Sequence, residues 1–307
     1  MPIHITGTGS FIPENKVDNN SFLNKEFFDK DGNPYPNSNQ EIIEKFEAIT
    51  GIKERRYADK KHTNSDLAAF AAAEAIKDAK IDKESIDYII VAHNFGNIEY
   101  GTNQYISLPS VATLVKHKLE ISNENCVAYD LIFGCPGWIE GVIQAKSFII
   151  SKMAKRCLVI GADTLSRTID KSDRDSMIFA DGAGASIIEE KNNLGGILSH
   201  KTITKAGKEA LYLFCKESYS PQNKENIKHI KMNGRKVYEF AISNIPGALK
   251  ACLEESGKSI DDVKKIFLHQ ANEKLDEAVL KYFYKQYDKE IPKNIMPISV
   301  DVYGNSS

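Results

Sequence analysis

The sequence predicts an α/β protein made of two similar halves. Three observations carry this. Short apolar runs with strand character recur, and most are followed by a run with helical spacing. That alternation is met once before residue 190 and again after it. The chain of 307 residues is also long enough for one large domain or two intimately packed ones. The division falls at 1–190 and 191–307.

In the first half, Ile3 to Gly7 reads as a strand, and Asn19 to Ile49 as loops with short helices. Ser65 can cap an alanine-rich helix reaching Lys80. Tyr88 to Ala92 is the next strand, Gln104 to Leu119 a helix, Val127 to Phe133 a strand and Pro136 to Ser151 a buried helix. Residues 156–163 and 184–190 complete the half as strands. In the second half, strands are expected at Gly195 to Ser199, Lys265 to Leu268 and Ile295 to Val300. Helices are expected at Met232 to Glu255, kinked at Pro246, and at Glu273 to Tyr287. Mainly parallel pairing follows from the alternation.

Composition narrows the function. Forty basic residues against 42 acidic ones give a net charge of −2, which argues against wholesale nucleic-acid binding. No signal peptide is expected from the opening Met1-Pro2-Ile3-His4, and no apolar stretch approaches a membrane span. Five cysteines without CxxC spacing fit a reducing cytoplasm. Asp163, Asp170, Asp173, Asp175 and Asp181 lack a compact ligand pattern, so no metal is assigned.

Three strand ends carry chemistry-bearing residues. Cys135 lies in Gly134-Cys135-Pro136-Gly137, where a strand meets a helix. Unpaired N–H groups and the helix dipole stabilise a thiolate there, and the glycines let a thioester approach. A buried, inert cysteine at a tight turn fits the same local pattern. His269 ends an apolar strand, where open α/β sheets commonly bind ligands, although a hydrogen-bonded core histidine competes. Asn305 holds a third joint, in a place that also suits a simple turn or cap.

The motifs GTGSFIPE (7–14), TGIKERR (50–56), GCPGW around Cys135, DRDSMIFADGAGA (173–185), HQAN (269–272) and GNSS (304–307) span nearly the whole chain. With them the chain resembles β-ketoacyl-acyl-carrier-protein synthase III, of the thiolase-fold condensing enzymes. The resemblance implies a thiolase-like fold with a layered αβαβα core. It makes Cys135 the nucleophile, completed by His269 and Asn305 from the C-terminal half. It implies decarboxylative condensation of an acyl thioester with malonyl-acyl carrier protein through an acyl-cysteine, with no cofactor. It also implies a homodimer, a role in lipid metabolism and a cytoplasmic location. The family's C-terminal tail carries a strand pair and a Gly-rich loop beyond Ser307, so the natural protein is expected to run further.

The substrate-binding set implied by the resemblance is Arg174, Leu108, Tyr238, Asn272 and Lys274. Arg174 matches an arginine that contacts coenzyme A. Lys45 and Ile49 replace a Trp and an Arg that clamp the adenine end, and Arg235 replaces an asparagine. The starter is therefore expected on coenzyme A or on the carrier protein. Leu108 stands where the family often places a phenylalanine, which suits a reshaped pocket for a longer acyl chain. Lys274, Lys281, Lys285, Arg235 and Lys236 present a basic rim to an acidic carrier protein. Two other readings are an acyltransferase acting on a hydroxyl or amine, and a non-catalytic partner subunit. Asn305 argues against the first and Cys135 against the second.

Overall fold

The computed structural model describes residues 2–102, 104–192 and 195–307. In the first half the elements are β1 (Ile3–Phe11), β2 (Asn15–Asp18), α1 (Asn39–Thr50), β3 (Glu54–Tyr57), α2 (Asn64–Ala79), β4 (Tyr88–His93), α3 (Val111–Lys118), β5 (Val127–Ile132), α4 (Gly137–Ile150), β6 (Arg156–Thr164) and β7 (Asp181–Glu190). One five-stranded sheet runs in the order β1-β7-β6-β4-β5.

The alanines of α2 let its axis lie close to the sheet. Ala68, Ala71, Ala72 and Ala75 are fully buried and join α3 and the strands in one core. The apolar helix α4 covers the opposite face through Val142, Ala145 and Ile149, against Cys157 and Val159. With both faces covered, Ile89, Ile90 and Val91 of β4 are all fully buried, which explains why that strand is a continuous apolar run.

The pairing is mixed rather than mainly parallel. β4 pairs in parallel with β5 and β6, whereas β7 is antiparallel to both β6 and β1. Residues 165–180 return the chain at the end where β6 finished, so β7 must run back alongside it. The parallel centre matters for function. The C-terminal ends of β4, β5 and β6 share one edge, and Asn94, Cys135 and Asp163 lie there.

α3 begins at Val111, well after the expected start at Gln104. Ile106 and Asn97 exchange backbone hydrogen bonds of 2.9 and 3.4 Å, which engages groups that a helix would need. Asn103, in the same loop, lies outside the described residues.

The second half departs further from expectation. It forms a hairpin of β8 (Leu213–Lys216) and β9 (His229–Met232), then α5 (Gly234–Glu255), α6 (Glu273–Lys285) and the short α7 (Val300–Tyr303). Pro246 lies within α5 as read from the sequence. The expected strands at 195–199, 265–268 and 295–300 do not form. A strand is defined by a ladder, and these runs make isolated bonds instead: Ile197 N–H to Ile3 O (2.8 Å) and Ile266 N–H to Ile295 O (3.0 Å). Phe267 remains 77% exposed. Among the described residues no helix is long and apolar enough to cross a membrane.

Arg55 seats the last turn of the chain. Its fully buried guanidinium donates to Met177 O (3.0 Å), Val17 O (3.0 Å) and Asn19 Oδ1 (2.6 Å), with the Phe22 ring 5.0 Å away. Gly304 lies against it with φ +69°, and a Cβ there would come within 2.6 Å of Arg55 Cβ and 3.1 Å of Ala180 Cβ. Asn305 follows at once, bonded to Ile178 O (3.0 Å) and Ala180 N–H (2.7 Å). Gly304→Ala is therefore expected to destabilise the fold by about 1–3 kcal/mol in urea unfolding, through strain and overpacking.

Candidate active site

Cys135 sits where β5 turns into α4. Gly134 takes φ +86°, a conformation open to glycine, and its carbonyl accepts the Gly137 N–H at 2.9 Å. A Cβ on Gly137 would lie 2.8 Å from Ala92 Cβ, so the start of α4 can rest on β4 because no side chain intervenes. The helix cap is Pro136, so Cys135 stands one residue outside the cap rather than within the first turn. It is half-buried.

His269 arrives from the loop before α6. Burial acts to raise the Cys135 thiol, but the charge and hydrogen bond of His269 and a hydrogen bond from Ser307 outweigh it, and the thiol lies below its ordinary value. Asp163 opposes this weakly. In return, close protein atoms disfavour a charged His269, but Cys135 and then Asp276 raise it above the ordinary imidazole value. His269 itself stays open to solvent on one side. The pair therefore favours thiolate and imidazolium.

Asn305 is 4% exposed and joins this group through Ser307. Its Oδ1 accepts the Ser307 N–H at 2.8 Å, which leaves Nδ2 as the end able to donate to a substrate. The Ser307 Oγ accepts Asn94 Nδ2 at 2.7 Å. Asn94 also donates to Asp163 through its backbone N–H (3.0 Å) and Nδ2 (2.6 Å). Burial pushes the Asp163 carboxyl up to about 6, against the bonds from Asn94. Behind this edge, His93 Nδ1 accepts the Gly96 N–H at 2.9 Å, so its Nε2 carries the proton, 3.0 Å from Asp130. Asp130 in turn accepts the first N–H groups of α3, from Val111 (2.9 Å) and Ala112 (2.7 Å).

The structure thus brings together Cys135 and His269, with Asn305 linked through Ser307. Sequence reasoning missed Asn94, Ser307 and Asp276 and gave Asp163 no role. The signal for Asn94 and Asp163 was available, since both end strands parallel to β5.

The other expected residues make contacts of their own. The Arg174 guanidinium stacks 4.4 Å from the Tyr35 ring centroid and lies 3.8 Å from Asp175. Leu108 is 85% exposed at the tip of its loop. Tyr238 is partly exposed on α5, and Lys274 is exposed. Asn272 caps α6, with its Oδ1 accepting the Leu275 N–H at 3.0 Å. Arg235 and Lys236 both pair with Glu239, so the basic rim is partly neutralised within α5.

Known proteins share this arrangement of fold and sequence. The sequence model for 3-oxoacyl-[acyl-carrier-protein (ACP)] synthase III matches residues 129–206. A beta-ketoacyl-[acyl-carrier-protein] synthase III of Oceanobacillus iheyensis is 36% identical over 309 residues, covering 100% of this chain and 86% of that protein. The chain belongs to the beta-ketoacyl-[acyl-carrier-protein] synthase III family. Another synthase III, from Neisseria gonorrhoeae, is 33% identical over 304 residues, covering 99% of this chain and 86% of its own. Among solved structures, the 3-oxoacyl-[acyl-carrier-protein] synthase III of Aquifex aeolicus superposes with a TM-score of 0.80 at 29% identity. That match covers 99% of this chain and 86% of the other. The thiolase-like α/β fold expected from the motifs is therefore the observed one, and the chain is an acyltransferase of the synthase III type.

The ionisation of the pair predicts a bell-shaped pH profile. Thiolate is lost as pH falls through the lowered Cys135 value, and imidazolium is lost as pH rises through the raised His269 value. Iodoacetamide should alkylate Cys135 selectively at neutral pH, and His269→Ala should slow that alkylation roughly tenfold, read by peptide mass spectrometry.

Proposed function

We propose that this synthase III extends an acyl thioester by decarboxylative condensation with malonyl-acyl carrier protein, through an acyl group on Cys135. The residue roles are supported by the place of Cys135 at the β5–α4 joint, with His269 hydrogen-bonded to it and the Asn94–Ser307–Asn305 chain of bonds alongside. The Cys135 thiolate attacks the acyl carbonyl and displaces the carrier thiolate, which takes a proton from His269, and the solvent-facing imidazole regains a proton from water before the next step. A malonyl thioester then loses CO₂. The negative charge that develops on its thioester oxygen is met by donors from His269 and the Asn305 Nδ2. The resulting enolate attacks the acyl-cysteine carbonyl, expels the Cys135 thiolate and leaves as a β-ketoacyl thioester. The residues need no cofactor for this sequence.

The carrier protein donates the malonyl group, and the starter comes on coenzyme A or on the same carrier. Arg174 supports a phosphate-bearing carrier through its half-exposed guanidinium. The nucleophile belongs to the 1–190 half, and His269 and Asn305 to the 191–307 half. A second copy of the chain fits the edge strand β5, where Val127, Ile132 and Phe133 are exposed beside Ile139. Free cysteines throughout support a cytoplasmic enzyme of fatty acid biosynthesis.

Intact mass after exposure to acyl thioesters of graded length should show one acyl adduct, absent in Cys135→Ala. A preference beyond acetyl supports a role for Leu108 in a reshaped pocket, whereas strict acetyl preference refutes it. His269→Ala and Asn305→Ala should each lower release of ¹⁴CO₂ from labelled malonyl-carrier protein by about 10²–10³. Undiminished decarboxylation in both variants would overturn the assigned roles.

A further inference from the structure

His93 ends β4, one residue before Asn94 of the site edge, and its side chain is fully buried. It takes no part in the proposed chemistry. Its two ring nitrogens face the two ends of the loop that joins β4 to α3. Nδ1 accepts the Gly96 N–H at 2.9 Å, at the loop's first turn. Nε2 lies 3.0 Å from Asp130 Oδ2, a close approach that is poorly aligned for a hydrogen bond. That same Oδ2 accepts the Val111 N–H at 2.9 Å, and Oδ1 accepts the Ala112 N–H at 2.7 Å, where the loop passes into α3.

The loop folds back on its own start. Asn97 and Ile106 exchange backbone bonds, and a Cβ on Gly96 would come within 2.3 Å of the Tyr105 ring, so that ring lies on the turn that His93 holds. Gly96, Asn97 and Ile98 are buried, whereas Tyr100, Tyr105 and Leu108 are exposed. An apolar tip with few buried contacts takes its position from its base.

We infer that His93 is a positioning residue for acyl-chain selection: one imidazole braces the loop at its first turn and, through Asp130, at its last, and so places Leu108. The inference rests on the reading of Leu108 as a residue of the acyl pocket.

A neutral imidazole suits this task, because only its unprotonated nitrogen can accept the Gly96 N–H. Asp130 lies below the ordinary carboxylate range: burial raises it, but His93 and the N–H groups of Ala112 and Val111 outweigh that, so it stays an acceptor for α3. Other ties hold the base from α2 and from the turn after β6. Asn64 Nδ2 donates to Gly96 O (3.1 Å), Asn97 Oδ1 accepts the Ser65 N–H (3.0 Å), and Arg167 donates to Ile98 O. Loss of the His93 bonds therefore loosens the loop without freeing the fold around it.

Two variants divide the two contacts. His93→Asn keeps an acceptor where Nδ1 stood, whereas His93→Gln keeps a donor toward Asp130 and leaves the Gly96 N–H without its acceptor. Acylation of Cys135 is followed by intact mass with acetyl, medium-chain and long-chain thioesters, and the loop by amide exchange in peptides spanning 94–110. In His93→Gln, exchange in that segment should rise about tenfold. The ratio of acylation rates between the best and worst chain lengths should fall about threefold or more. Iodoacetamide should still alkylate Cys135 within about twofold of the parent rate, which a general loss of structure would not allow. His93→Asn should recover much of both changes. Unchanged exchange in a folded His93→Gln overturns the inference, and so does faster exchange with an unaltered chain-length profile where Leu108→Ala does alter it. An unaltered profile in Leu108→Ala, with exchange raised in His93→Gln, counts against the reading of Leu108 and not against the brace. If neither His93 variant folds, ¹⁵N NMR of the parent's histidines decides: a proton on His93 Nε2 supports the brace, and one on Nδ1 overturns it.

Discussion

The Cys135 thiol and the His269 imidazole each favour the other's charged form at the edge of the sheet, and much of the molecule serves that pairing. Neither charge would be favoured to the same degree alone: close protein atoms work against both, and their mutual attraction reverses it. The sulfur comes from the first half and the imidazole from the second, so the pairing exists only once the halves are packed. That makes the reactive state a product of tertiary structure.

The sheet supplies the fixed side of the pair. Parallel β4, β5 and β6 deliver Asn94, Cys135 and Asp163 to one edge, and the bonds of Asn94 to Asp163 tie two of those strand ends together. Buried charges brace the surrounding loops. Asp181 accepts the Ala58 N–H (2.7 Å), the Ser166 N–H (2.8 Å) and the Ser166 hydroxyl (2.6 Å), which fixes the return from β6 to β7. Lys231 of β9 is buried between Asp170 (2.5 Å) and Asp173 (3.1 Å) with its ammonium 3.4 Å from the Tyr219 ring centroid, so the hairpin of the second half is locked to the same loop. Breaking such a pair leaves an uncompensated charge, which costs far more than the pair contributes.

The amide side of the site is held differently. Asn305 is reached through backbone bonds to residues 178 and 180, and those residues are positioned in turn by Arg55 against Met177. The TGIKERR motif therefore acts on the site from beneath, through a guanidinium that touches carbonyls and aromatic rings rather than substrate. Lys45 and Ile49, just before that motif, lie exposed on α1. Both side chains stand outside the buried frame around Arg55.

By itself the sequence determined the alternation of elements in the first half, the alanine-rich helix and the glycines around Cys135, and it marked Cys135, His269 and Asn305 as candidates, because periodicity and turn chemistry are local. It also marked the family, since the motifs are contiguous. Only the tertiary structure decided the antiparallel course of β7, the failure of 265–268 and 295–300 to form ladders, and the shortened α3. Each depends on what lies alongside a segment, which local pattern does not encode.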